Sequence, residues 1–338
     1  MRQNERKVGW ALAHQYEVRM KVVILGYGEM FTNLIAGCRD AGCEIVGVFR
    51  YDKVRHPVID RVLMDLFNPS KEYNYIKSHK LYEIQARSAN SAEFKKEVLR
   101  LNADIVLVGT WGEKIKKSII NLPKLATINV HPALLPKYRG PNPYLQAIKH
   151  LESKAGVTFH LMDETFDTGA ILHQKVVEIE SKDTGAELRH KLALASREGV
   201  VELLTQLDKE IVIPVAQDNS KASYFPQATE DEVMLDFSKS AAEVSAHIRS
   251  FHPWYKCYFG YNHHFFTPNP HKLEILENDS DIKESGTIVT KSHKDKSITV
   301  LCGDSKLLKM SDVRLFGLVN RFLTSLYIKK IVKAGYKY

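Results

Sequence analysis

Three polar residues of this 338-residue chain are of types that do chemistry together. Asn129 and His131 lie in "ATINVHPALLPKYRGPNP" (126–143), and Asp167 lies in "GVTFHLMDETFDTG" (156–169). Asn129 and His131 alternate with Ile128 and Val130, as at the end of a buried strand, which points both side chains to one face. Asp167 follows on a second loop, just before the turn-forming Gly169. None of the three is a hydroxyl or thiol nucleophile, so the set suits direct attack by a substrate amine on an activated acyl carbon. The Asn129 amide and a protonated His131 would donate to the carbonyl oxygen as it gains charge. Asp167 would take the amine proton, directly or through water. Its charge would also favour the cationic imidazole. For these residues taken singly, a satisfied polar pair followed by an ordinary turn is the competing reading.

The wider motifs, "INVHPALLPKYRGPNP" and then "MDETFDTG", resemble the signature of the folate-dependent formyltransferases, with Ala133 where that family commonly has Ser. The resemblance implies an α/β fold: a Rossmann-like, mostly parallel sheet (the formyltransferase fold) with a smaller C-terminal OB-like β-barrel. It implies 10-formyltetrahydrofolate as co-substrate, no metal, and catalytic roles for Asn129, His131 and Asp167. The loop "GTWGEKI" resembles the family's pterin-binding segment, which assigns Trp111, Gly112 and Ile115, together with Leu134, to the folate. A turn anchored by a packed tryptophan is the alternative there. The backbone of Asp163, Glu164 and Thr165 is expected to grip the folate from the other side, and Pro136, Arg139, Gly140 and Pro141 to shape the acceptor side.

Composition limits the rest. No apolar run reaches the ~18 residues of a membrane span, so a soluble protein without integral membrane association is expected. Cys38, Cys43, Cys257 and Cys302 have neither disulfide-framework nor metal-ligand spacing, which fits a reducing compartment, the cytoplasm. His263-His264 lacks the partners of a zinc site. Lys and Arg number 48 against 40 Asp and Glu; residues 283–338 hold 12 basic and 4 acidic residues, which accounts for the whole excess of +8. A basic end on a neutral body fits a polyanionic partner or a solvated face that aids solubility.

The elements that must position the site follow in order. Residues 1–19 read as a polar extension, and 20–208 as the catalytic domain. That domain opens on a strand Met20–Leu25, a helix Phe31–Ala41 and a strand Glu44–Phe49. Gly26-x-Gly28 lacks the third glycine of a dinucleotide fingerprint, and Arg50 stands where an acidic residue would end the second strand, which disfavours a nicotinamide dehydrogenase. A helix Val58–Phe67, a strand Leu81–Ile84, a helix Ser91–Leu101 capped by Ser91 and a strand Ile105–Val108 follow. His160 within a strand and His173 beside the site loop read as structural. Thr184-x-x-Glu187 opens a long helix with a capping box.

Residues 209–228 read as a linker, 229–312 as the barrel domain with a capping box at Ser240-x-x-Glu243, and 313–338 as a basic amphipathic tail. The tail is expected to clamp onto its domain, to contact RNA phosphates, or to meet an anionic membrane surface, in that order. The linker's Pro-x-x-Gln-Asp, the segment "FHPW" and the basic small barrel resemble the family members that formylate initiator methionyl-tRNA. The tRNA-reaching basic loop is poorly matched: Lys53, Arg55, His56 and Arg61 replace an Arg/Gly/Lys-rich run. Formylation of a nucleotide-linked amino sugar is therefore the second expectation, and a non-catalytic RNA-binding protein on the same scaffold the third. A monomer is expected.

Overall fold

The computed structural model describes residues 19–51, 54, 56, 58–315, 324, 328, 329 and 332. The polar extension, apart from Arg19, the basic positions Lys53 and Arg55, and most of the tail lie outside the described residues. Contacts divide the chain into two compact units.

The first unit comprises residues up to 143, 155–177 and 190–225. Its sheet contains β1 (Lys21–Gly26), β2 (Glu44–Arg50), β3 (Ile105–Gly109), β4 (Ala126–His131), β5 (Lys154–Leu161) and β6 (Ile171–Glu178) in the order β2-β1-β3-β4-β5-β6. β1, β2, β3 and β4 run parallel, and β5 pairs antiparallel to β4. β1 and β3 are near-continuous apolar runs with no exposed residue, as strands covered on both faces must be. The helix Gly28–Asp40 buries Phe31, Leu34 and Ile35 after β1. Ser91 caps the helix Ala92–Leu101 by accepting from the Phe94 N–H.

The structure differs from the sequence reading at three places here. The expected strand Leu81–Ile84 is a single bridge, Val48 to Glu83, beside β2. A helix absent from that reading, Lys71–Ser78, is capped by Ser70 and buries little besides Ile76, so its apolar periodicity is faint. The segment read as a linker is also more than a connector, because residues 209–225 belong to this unit. Val215 pairs with Ile171, and the Arg139 N–H donates to the Ser223 carbonyl at 2.9 Å. Backbone bonding of this kind leaves no side-chain period to read.

The second unit comprises 144–154, 178–189 and 226 onward. The Ser240–Glu243 capping box opens its helix Ala241–Phe251. Seven strands follow: β7 (Phe259–Tyr261), β8 (His264–Thr267), β9 (Leu273–Leu276), β10 (Ile288–Ser292), β11 (Ser297–Leu301), β12 (Leu307–Met310) and β13 (Arg314–Leu315). They fall in two antiparallel sheets, β10-β11-β12-β9 and β13-β8-β7, around one core with Phe237, Phe251, Phe259, Val300 and Met310. Among the described tail residues, Ile328 and Val332 join this core and Thr324 is buried, a spacing of one helical face.

At the end of β2, Arg50 is 1 % exposed and serves as a staple. Its Nε donates to Glu83 Oε1 at 2.6 Å and its Nη2 to Asp65 Oδ2 at 3.1 Å, and its guanidinium lies over the Tyr73 ring. It thus joins β2 to the bridge at Glu83, the helix Val58–Phe67 and the helix Lys71–Ser78. Arg50→Met should leave two inward-facing carboxylates without their cation and cost about 3–5 kcal/mol. Denaturant unfolding monitored by circular dichroism checks this, and a loss below about 1 kcal/mol would contradict it.

Candidate active site

Asn129 and His131 occupy the carboxyl end of β4, where open α/β sheets present ligand sites. The antiparallel register sets Asn129 opposite His160 and His131 opposite Thr158 on β5. Asp167 comes from the loop between β5 and β6, at φ 58°. This left-handed conformation is uncommon for a residue with a Cβ and is characteristic of constrained sites. Gly169 ends that loop because a Cβ there would lie 1.7 Å from the Leu161 carbonyl oxygen.

The three side chains named from the sequence converge. Asn129 Nδ2 donates to Asp167 Oδ1 at 3.3 Å, and His131 Nδ1 lies 3.4 Å from the same oxygen. The second carboxylate oxygen, Oδ2, accepts from the Gly140 N–H at 3.0 Å. His131 is buried, and its Nε2 donates to the Tyr138 carbonyl at 2.9 Å.

His160 completes the cluster, and it was read as structural. It is 2 % exposed. Its Nδ1 donates to the Leu161 carbonyl at 2.9 Å, which leaves Nε2 to accept from Asn129 Nδ2 at 3.0 Å. That bond fixes which way the Asn129 amide faces. The signal in the sequence was the strand register, which no local motif carries.

Burial raises the Asp167 pKa, but the His131 and His160 rings and the Gly140 N–H together hold it down to about 2. Burial lowers the His131 pKa and outweighs the opposing pull of Asp167 and the Tyr138 carbonyl. Burial thus works against a charged ring while Asp167 and the Tyr138 carbonyl work for it. Its Nδ1 lies 3.4 Å from Oδ1, so a proton on the ring and the charge on the carboxylate favour one another.

The other residues singled out divide by loop. Ile115 is buried, and Trp111 packs on Phe49 and Tyr51 with ring centroids 5.5 and 4.9 Å away. Met162 joins the same apolar cluster, which brings the loop 109–115 and the segment leading into Asp163 together. Gly112 lies close against Tyr51, where a Cβ would sit 2.6 Å from the hydroxyl. The Trp111 indole N–H is buried with no acceptor among the described residues, which fits a ligand that brings one. Asp163 accepts from the Thr165 N–H at 2.9 Å, closing its own loop, and Glu164 pairs with Lys117 at 3.2 Å on the surface. Leu134 lies over Gly156 of β5, Pro136 is partly buried, and Pro141 is exposed. Arg139 is partly buried, and its Nη2 donates to Gln217 Oε1 at 2.7 Å and Asn219 Oδ1 at 2.9 Å. A cavity of about 70 Å³ bounded by Ile120, Leu125, Thr127 and Met162 contains none of the residues singled out and is too small for a folate.

A carboxylate, an imidazole and an oriented amide meet at the end of a mostly parallel sheet, a set whose chemistry suits acyl transfer. Comparison with known proteins gives the same class. The family model described as formyl transferase matches residues 19–204, and that of the formyl transferase C-terminal domain matches 227–317. A methionyl-tRNA formyltransferase of Lachnospira eligens is 30% identical over 309 residues, covering 88% of this chain and 93% of its own. That of Caldanaerobacter subterraneus subsp. tengcongensis is 32% identical over 289 residues, 85% and 90% of the two chains. Among solved structures, an N-formyltransferase from Helicobacter canadensis, in complex with folinic acid and dTDP-3-aminofucose, superposes with a TM-score of 0.64. It is 17% identical and covers 86% of this chain and 99% of that one. The chain belongs to the formyl transferase family and is an enzyme of that type.

A carboxyl whose pKa falls from 3.8 to about 2 on folding stabilises the fold above pH 4, by about 2 kcal/mol. That contribution disappears as the pH falls from about 4 to about 2. The stability gap between wild type and Asp167→Asn should therefore narrow over that interval. Urea titrations at stepped pH check it, and a gap independent of pH would contradict it.

Proposed function

We propose that the protein transfers a formyl group from 10-formyltetrahydrofolate to the amino group of methionyl-tRNA. The observation that carries the chemistry is the convergence of Asn129, His131 and Asp167 on one carboxylate oxygen. The tRNA acceptor is supported by relatives named methionyl-tRNA formyltransferase that align with most of the chain at 30% and 32% identity.

The bound folate supplies an activated formyl carbonyl. The loop 111–115, whose Trp111 N–H has no acceptor among the described residues, and the closed turn at Asp163–Thr165 are the groups that would hold it. Asp167, anionic and buried, accepts the proton that the attacking amine must lose. The neighbouring His131 Nδ1 shares that proton, and the imidazolium so formed is already bonded to the Tyr138 carbonyl. Once Oδ1 is protonated it no longer holds the Asn129 N–H, which turns to the carbonyl oxygen where negative charge is growing. His160 keeps the amide nitrogen on that side throughout. As the carbonyl re-forms, the bond from the formyl carbon to the folate nitrogen breaks, and that nitrogen leaves with the proton held by the Asp167–His131 pair.

One observation favours a nucleotide-linked amino sugar as the acceptor instead. The helix Val58–Phe67 exposes Leu66 and Phe67 at 68% and 77% in the region where a tRNA-reaching loop would be basic. A screen with labelled 10-formyltetrahydrofolate separates the two readings. Methionyl-tRNA, dTDP- and UDP-amino sugars and water are offered separately, and transfer to charged tRNA is the expected result. Transfer only to an amino sugar would replace the proposed acceptor, and transfer to none would end the reading. Asn129→Ala should lower kcat by about 10²–10³ if its N–H meets the growing charge. Single-turnover rates check this, and unchanged rates would remove that role.

A further inference from the structure

Gln217 lies 50 residues beyond Asp167 in sequence, within the Pro214-x-x-Gln217-Asp218 stretch. Its side chain nevertheless binds the carboxylate loop from behind. Nε2 donates to the Asp167 carbonyl at 2.9 Å and to the Gly169 carbonyl at 2.8 Å. Oε1 accepts from Arg139 Nη2 at 2.7 Å and from Arg139 Nε at 3.3 Å. The residue after Arg139 is Gly140, whose N–H holds Asp167 Oδ2 at 3.0 Å. One carboxamide therefore clasps both the backbone that carries the carboxylate and the segment whose N–H grips it.

Two features make this clasp matter for chemistry. Asp167 stands at φ 58°, a conformation that persists in a residue with a Cβ where surrounding contacts over-determine it. The clasp also demands two donors and an acceptor on one planar group at this reach, which glutamine supplies. Glutamate has the acceptors but would set a carboxylate against two carbonyl oxygens. Methionine fills the space and bonds to neither side.

We propose that Gln217 is a positioning residue for formyl transfer: it holds residues 167–169 so that the Asp167 carboxylate meets the Gly140 N–H and His131, and it acts on turnover rather than on binding. This rests on the formyl-transfer reading of the same site. Gln217 touches no reacting atom and works through the loop alone.

The test uses the full-length protein with Gln217→Met and Gln217→Glu. Two independent readouts are taken. The first is kcat and KM for 10-formyltetrahydrofolate and for methionyl-tRNA. The second is the titration of the Asp167 carboxyl by ¹³C NMR, assigned with Asp167→Asn and requiring no activity. The titratable and charged groups facing that carboxyl, His131, His160 and Arg139, are unchanged in both variants. Both variants should lose about 10²-fold in kcat, the scale of an ångström's misplacement, with KM values within about threefold of wild type. In both, Asp167 should titrate at higher pH than in the wild type, because a loop released from the clasp presents its carboxylate less squarely to the Gly140 N–H. Wild-type kcat in Gln217→Glu would overturn the proposal, since that variant keeps only the Arg139 contact. An unchanged titration in Gln217→Met, or raised KM with kcat intact, would overturn it equally. Should the wild type transfer formyl to no acceptor, the functional reading falls, and the titration alone still decides whether Gln217 places the carboxylate.

Discussion

The site depends on one buried anion. The Asp167 carboxylate is drawn out of water onto a loop with a left-handed residue, and every neighbour described above answers to its charge. The Gly140 N–H, the Asn129 amide and the two imidazoles face it, and Gln217 ties down the backbone beneath. A carboxylate taken from water without such partners would be protonated instead. Its ionisation is thus a property of the assembled fold, and the chemistry of the site follows from that.

The same anion also acts on His131. Desolvation penalises the imidazolium more than one carboxylate at 3.4 Å repays. In the proposed reaction, a proton arriving on the pair would cancel the carboxylate's charge, and the ring could share it beside the carbonyl where opposite charge would grow.

Much of this was legible in the sequence because it is local. Asn129 and His131 are two residues apart on one strand, Asp167 precedes a glycine, and the capping pairs at Thr184 and Ser240 are written within four residues. What escaped depends on register and on distant chain. His160 joins the site only because β5 pairs antiparallel to β4 with Asn129 opposite it. The contribution of Gln217 comes from a segment without periodicity that is held by backbone bonds. Lys71–Ser78 was missed for the converse reason, since a helix that buries so little carries a faint pattern. The charge of a neighbour of His131 can be read from a motif, whereas the depth of burial that opposes it cannot.

Arg139 has a consequence of its own. Its two amide-oxygen partners, on Gln217 and Asn219, are uncharged, so they orient the guanidinium without neutralising it. A whole positive charge remains a short distance from the imidazole, and it contributes to keeping that ring unprotonated. The field that repels a proton there attracts negative charge, and in surroundings of low polarisability it reaches further than a hydrogen bond. Both acceptors proposed above carry phosphates, so a long-range pull of this sign would assist either of them without distinguishing between them.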